Sequence, residues 1–256
     1  MNRRSFLGAA VASAALPIPA FAQSERARVM TFVPHANLTS LDPVWTSALV
    51  TSNHGYYVFD TLYGVDSRLR PHPQMAEGHS VSDDGLIWLI RLRDGLRFHD
   101  GEPVRARDCA ASLRRWAARD TFGRTLADAV DAWEAADDRT VRIKLKRPFP
   151  LLIDAIGKPG SNIAFMMPER LAATDPNSQI TEMVGSGPYR FVAGEYASGN
   201  RVVYEKFAGY VPRQEQPNWT AGGKVAHFDR ILWQIIPDPA TAAAALQAGE
   251  IDWWDQ

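Results

Sequence analysis

The sequence predicts an α/β protein built from short strands, tight turns and a few helices. Three observations carry that expectation: alternating apolar and charged residues over 140–146, Asp-Gly pairs around the apolar run 87–93, and a helix-period apolar stripe over 106–119. In the first, Val141, Ile143 and Leu145 alternate with Arg142, Lys144 and Lys146, the pattern of a strand with one wet face. In the second, Asp84-Gly85 and Asp94-Gly95 bracket the run, and with Asp100-Gly101 they supply residues tolerant of positive φ at turns. These are antiparallel, hairpin-like signals, without a βαβ repeat.

In the third, Cys109, Leu113 and Trp116 recur at spacings of four and three among Arg105, Arg107, Arg114 and Arg115, so an amphipathic helix is expected over 106–119. A second helix is expected over 125–135. Pro148 and Pro150 then interrupt, followed by an apolar segment over 151–156 and a turn at 158–161. Met167-Pro168-Glu169-Arg170 opens another short helix, with proline early, where its missing N–H is no loss. A second block begins near Glu182. There Gly185-Ser186-Gly187-Pro188 is a turn leading into 189–192, with strands expected over 201–207 and 230–236. Residues 241–248 read as an Ala-rich helix stopped by Gly249, and 250–254 as the start of a strand. The chain stops two residues later, the expectation being either a truncated reading frame or an excised fragment of a longer one.

Arg3-Arg4 ahead of a small apolar run, ending in Ala20-Phe21-Ala22, is the pattern of a signal peptide over residues 1–22, with cleavage after Ala22. Pro17 and Pro19 argue against a spanning helix. Arg3-Arg4-Ser5-Phe6-Leu7 is similar to the twin-arginine export signal, which predicts a periplasmic location. Cleavage removes two arginines from the 28 basic and 29 acidic residues, for a net charge near −3. Without a concentrated cationic face, a nucleic-acid partner is not expected. No later stretch approaches 18 apolar residues, so the mature chain is expected to be soluble.

Cys109 is the single cysteine, expected as a small buried side chain. The six histidines show no H-E-x-x-H or i, i+4 pairing, and no nucleophile elbow, P-loop or dinucleotide fingerprint occurs, so neither metal, cofactor nor catalysis is expected. Asn218-Trp219-Thr220 matches a glycosylation sequon by chance alone. Aromatic residues are in surplus, and Trp45, Tyr56, Tyr57, Phe59, Trp253 and Trp254 fall near the two ends of the block expected to face a cleft.

Four motifs carry a family resemblance. They are Leu41-Asp42-Pro43 with Tyr57-Val58-Phe59-Asp60-Thr61-Leu62-Tyr63; the run from Leu92 through Phe98-His99-Asp100-Gly101-Glu102-Pro103-Val104; Val184-Gly185-Ser186-Gly187-Pro188-Tyr189-Arg190-Phe191; and Leu246-Gln247-Ala248-Gly249-Glu250-Ile251-Asp252. In order and spacing the chain resembles solute-binding protein family 5, typified by dipeptide- and oligopeptide-binding proteins and a nickel-binding relative.

The resemblance implies a periplasmic-binding-protein-like type II lobe, α/β, with a mixed sheet and an inserted antiparallel subdomain. The lobe would comprise 23–48 and 183–256, with the subdomain over 49–182 and the second lobe absent. It further implies a monomeric, extracytoplasmic substrate-binding component of an ABC importer. This component would bind a peptide or similar small solute between lobes and deliver it to a membrane permease, without catalysis. A nickel-chelate binder of the same family and an exported hydrolase are the competing readings. Matching ligand-facing positions are Thr46, Ser47, Ala48 and Leu49, offering backbone groups to an extended ligand, and Trp254, Asp255 and Gln256, with Phe122 and Arg124 added from the subdomain. A lone lobe is expected to bind weakly or not at all.

Overall fold

A computed structural model of the chain describes residues 28–255, so residues 1–22, the expected signal peptide, and Gln256 lie outside the described residues. The elements, in order, are β1 (Val29–Val33), α1 (Leu49–Val58), β2 (Asp60–Thr61), β3 (Tyr63–Val65), β4 (Pro71–Pro73), β5 (Ala76–Val81), β6 (Ile87–Leu92), α2 (Ala106–Arg119), α3 (Thr121–Ala129), β7 (Val130–Ala135), β8 (Thr140–Leu145), α4 (Leu152–Gly157), β9 (Phe165–Met166), α5 (Glu169–Ala172), β10 (Tyr189–Phe191), β11 (Arg201–Lys206), β12 (Arg230–Gln234), α6 (Pro239–Gln247) and β13 (Trp253–Trp254). The principal sheet has the order β10-β11-β12-β1-β13. It is mixed: β1 runs parallel to β12 and β13, while β10, β11 and β12 pair antiparallel. The other large sheet, β5-β6-β8-β7, is wholly antiparallel, and two short ribbons, β2 with β9 and β3 with β4, lie beside them.

The antiparallel sheet forms as its pattern dictates. Val141, Ile143 and Leu145 are buried, while Arg142 turns outward to Glu134 at 2.7 Å. Onto this face α2 lays Cys109, Leu113 and Trp116, all fully buried, against Ile90, Leu92 and Ile143. Burial pushes the Cys109 thiol far above its usual range, so it behaves as a small apolar side chain. The glycines of all three Asp-Gly pairs take positive φ, as expected.

The helix expected over 125–135 forms earlier and is shorter. Asp120, which ends α2, accepts the Gly123 N–H at 2.8 Å and so starts α3 at Thr121. Residues 130–135 are then drawn into the sheet as β7, because pairing with β8 satisfies their backbone groups while Val130 joins the core. The strand over 201–207 shortens by one residue and that over 230–236 by two. In the second block, Asp238 caps α6 through the Thr241 N–H at 2.8 Å, and Gly249 follows the helix at φ +68°.

A second core, containing Phe32, Phe59, Phe165, Tyr204 and Trp233, joins the mixed sheet to α1. Phe59, one of the aromatics placed on the cleft, is fully buried here against Phe165. Between the two cores lies a buried ion pair. Arg115 on α2 donates from Nη2 to Asp42 Oδ2 at 2.6 Å and from Nη1 to Oδ1 at 3.2 Å, and both side chains are at most 1% exposed. The Asp42 carboxylate also accepts the N–H groups of Val44 and Ile180, each at 3.0 Å. Arg115 also donates to the carbonyls of Thr174 and Ser178.

Removing one partner strands the other charge in the interior. Asp42→Ala is expected to lower unfolding free energy by about 3–5 kcal/mol, read as the urea midpoint, whereas Asp42→Leu with Arg115→Met recovers most of that loss. A single variant as stable as the parent would refute the pairing.

Candidate functional site

Two concave surfaces gather residues that the sequence singles out. One lies off the carboxyl ends of the parallel strands, where open α/β sheets place their ligands. It encloses about 500 Å³, with Pro34, His35, Asn37, Ile236, Trp254 and Asp255 among its walls. Parallel pairing of Val33 with Trp254 sets the indole there, and the Asp255 N–H donates to the Val33 carbonyl at 2.9 Å. The Asp255 carboxylate then meets His35 Nδ1 at 2.8 Å, joining the segments that leave β1 and β13.

The other is a groove of about 440 Å³ along α1, with Leu49, Tyr56, Tyr57, Tyr189, Trp219 and Lys224 among its lining. Its aromatic wall is fixed from beneath. The Tyr57 ring stacks on Tyr204 at 5.1 Å and meets Tyr189 edge-on at 5.5 Å, while Tyr56 meets Phe165 edge-on at 5.0 Å. Burial pushes the Tyr57 phenol up to about 12, so it stays a hydrogen-bond donor at neutral pH. At the base, Lys224 Nζ sits 2.6 Å from Asp60 Oδ1 and 5.4 Å from the Tyr56 ring centre. Asp60 is fully buried and also accepts the Tyr210 hydroxyl at 3.0 Å and the Thr61 N–H at 2.9 Å.

The segment before α1 presents Ser47 and Ala48 to solvent, and Leu49, which opens the helix and is 61% exposed, borders the groove. Thr46 Oγ1 accepts the Ala48 N–H at 3.2 Å, and the Ala48 carbonyl accepts the Ser52 N–H at 3.0 Å. Ala48 therefore already makes two local bonds. Trp45 lies under the Arg119 guanidinium, 4.6 Å from its ring centre. Phe122 packs on Phe149 at 6.1 Å and Arg124 is exposed on α3, and neither lines these two grooves. Sequence reasoning missed His35, Ser52, Asn53, Trp219 and Lys224. The available signal for Trp219 was a large apolar residue beside the breakers Gly222-Gly223.

The Gly185-Ser186-Gly187 turn holds the groove's far wall against α1. A Cβ on Gly185 would overlap the Val58 carbonyl and one on Gly187 the Tyr57 carbonyl. The Gly187 N–H donates to the Val58 carbonyl at 2.9 Å, and His99 Nε2 lies 3.0 Å from the Gly187 carbonyl. Only a protonated Nε2 can donate there, which leaves Nδ1 free of a proton when the ring is neutral. Burial pulls the His99 imidazole down from 6.5 to about 4, and that of His54, on α1 against the Tyr204 hydroxyl, to about 3.

Comparison with known proteins gives a consistent picture. Residues 70–256 match the family model "Bacterial extracellular solute-binding proteins, family 5 Middle". A probable peptide ABC transporter periplasmic-binding protein of Sinorhizobium fredii is 39% identical over 98% of this chain and 48% of its own length. A glutathione-binding protein of Pectobacterium atrosepticum is 31% identical over 98% of this chain and 45% of its own. The chain thus spans about half the length of the curated relatives it matches. Among solved structures, NikA of Brucella suis in complex with Fe(III)-EDTA superposes with a TM-score of 0.71 at 24% identity, over 88% of this chain and 42% of that one. DppA of Helicobacter pylori in complex with the peptide STSA gives 0.67 at 23%, over 90% and 47%.

Because both histidines are neutral when folded and bind protons near 6.5 when unfolded, their contribution is complete above that pH and is lost as pH falls towards 4. Urea unfolding at pH 7.5 and 5.0 is expected to show a loss of about 2 kcal/mol from each histidine, and His99→Gln should remove its share of the difference. An unchanged midpoint would contradict this.

Proposed function

Because the chain belongs to the bacterial extracellular solute-binding proteins of family 5 and has the type II periplasmic-binding-protein fold, we propose that it acts as one lobe of an extracytoplasmic binding protein. It captures peptides or similar small solutes and delivers them to an ABC-importer permease in the membrane. The observation that supports this reading is the groove off the carboxyl ends of β1 and β13, which Trp254 and Asp255 line. The family and the matched relatives are solute-binding proteins, and the reading is binding without turnover.

Residues 23–48 and 183–256 form the lobe, and 49–182 its inserted subdomain. Thr46, Ser47, Ala48 and Leu49 meet the solute from one side, Trp254, Asp255 and Gln256 from the other, and Phe122 and Arg124 from the subdomain. Solute that contacts two lobes stabilises the closed state only by its difference in affinity for the closed and open forms, so one lobe alone binds weakly. The protein works as a monomer in the periplasm, reached by twin-arginine export with cleavage after Ala22.

Ligand-observed NMR on this chain with di- to pentapeptides, glutathione and nickel chelates is expected to show peptide binding with dissociation constants in the millimolar range and no new product signals. Binding confined to nickel chelates would replace the peptide reading, and accumulating product would replace binding with hydrolysis. Export offers an independent check. In a bacterial host the periplasmic fraction should carry Gln23 at its N-terminus, and Arg3→Lys with Arg4→Lys should leave the chain in the cytoplasm with residues 1–22 attached.

A further inference from the structure

Trp219 is one of three non-glycine residues at positive φ among the described residues, at +54°. A side chain with a Cβ resists that conformation, and it persists where the surroundings over-determine it, commonly at ligand clamps. Here the surroundings do so. Asn218 and Ala221 exchange both backbone hydrogen bonds, at 2.9 and 3.1 Å. The Asn218 side chain accepts the Ser67 N–H at 2.9 Å, and Thr220 bonds Val65 through its hydroxyl at 2.8 Å and its N–H at 3.1 Å. Gly64 lies so near the Thr220 carbonyl that a Cβ there would overlap it. The turn is therefore clamped onto β3, yet the indole it carries is 60% exposed.

That indole does not stand alone. Leu49 at 61% and Val225 at 53% are also exposed, and all three line the groove along α1. Large apolar side chains that converge on one concavity mark a binding surface, and about 440 Å³ is within the range of small-ligand sites. The charges at its base cancel. The Lys224 ammonium is engaged by Asp60 and the Tyr56 ring, and Asp60 is further satisfied by Tyr210 and Thr61. Because Asp60 already offsets the Lys224 charge, a ligand carboxylate gains less here than beside an unpaired ammonium.

We infer that the groove is a side-chain subsite for an uncharged aromatic or branched apolar group of the solute, with Trp219 setting that preference. The inference rests on the solute-binding reading above. The clamped turn fixes the backbone that carries the ring before the solute arrives, so little loop freedom is lost on contact. Tyr56 and Tyr57 line the same groove, and their positions are fixed by packing on Phe165 and Tyr204.

Saturation-transfer NMR on the full chain tests this with N-acetyl-phenylalaninamide and N-acetyl-leucinamide as neutral probes and N-acetyl-aspartamide and N-acetyl-lysinamide as charged ones. Transfer is expected to the neutral probes, and Trp219→Gly should weaken it about fivefold while Trp219→Phe retains most of it. Glycine is at ease at φ +54°, and Trp219→Asn, also tolerant of that region, provides a second variant that should fold and show the same loss. Undiminished transfer in both variants would overturn the inference, as would equal transfer to the charged probes. A Trp219-dependent dimer in sedimentation would overturn it too, by making the patch a contact between copies. Peptides that bind parent and Trp219→Gly equally well sink this inference alone, whereas product that accumulates from the probes in place of binding sinks the reading beneath it.

Discussion

The buried pair of Asp42 and Arg115 is the constraint on which the rest of the arrangement depends. Two full charges out of water would be prohibitive without compensation. Here the carboxylate takes two guanidinium nitrogens and two backbone N–H groups, while the guanidinium also reaches the carbonyls of Thr174 and Ser178. Such a set contributes little net stability over well-packed apolar residues, but it fixes position. It ties three distant stretches, around residues 42, 115 and 180, into one geometry. The chain that runs from Asp42 to Leu49 leaves this anchor directly, so the placement of α1 and of the groove beside it follows from a bond network centred on helix α2.

A similar logic governs Asp60. It is buried at the end of α1, and its charge is met by Lys224 from a loop far along the sequence. Where Asp42 orients backbone, Asp60 neutralises the lysine at the base of a surface concavity whose exposed walls are largely apolar. Both aspartates lie in motifs that identify the family, and neither has an evident need to touch a solute.

Much of the fold was legible because its signals are local. Helix 106–119, strands β6 and β8, the Asp-Gly turns and the end of α6 at Gly249 each follow from spacing within a single segment. The helix expected over 125–135 failed for a complementary reason: the cap at Asp120 and the pairing of β7 with β8 outweighed helix propensity. Strand β1 went unread because its parallel partners lie some two hundred residues away, and parallel pairing leaves no turn to recognise. The same applies to the grooves. Leu49, Trp254 and Asp255 could be placed through family motifs, whereas Trp219 and Lys224 become neighbours of α1 only when the loop after β11 folds onto β3.

Gly185 and Gly187 press backbone on backbone against the last turn of α1, with no room for even a methyl group. Natural variants of this chain should therefore hold glycine at both positions as strictly as an enzyme holds its nucleophile. A search that ranks residues by evolutionary invariance would then rank the pair above the exposed Trp219, to which no such packing limit applies. Invariance of that kind would record how the scaffold closes on itself, and would say nothing of what the groove holds.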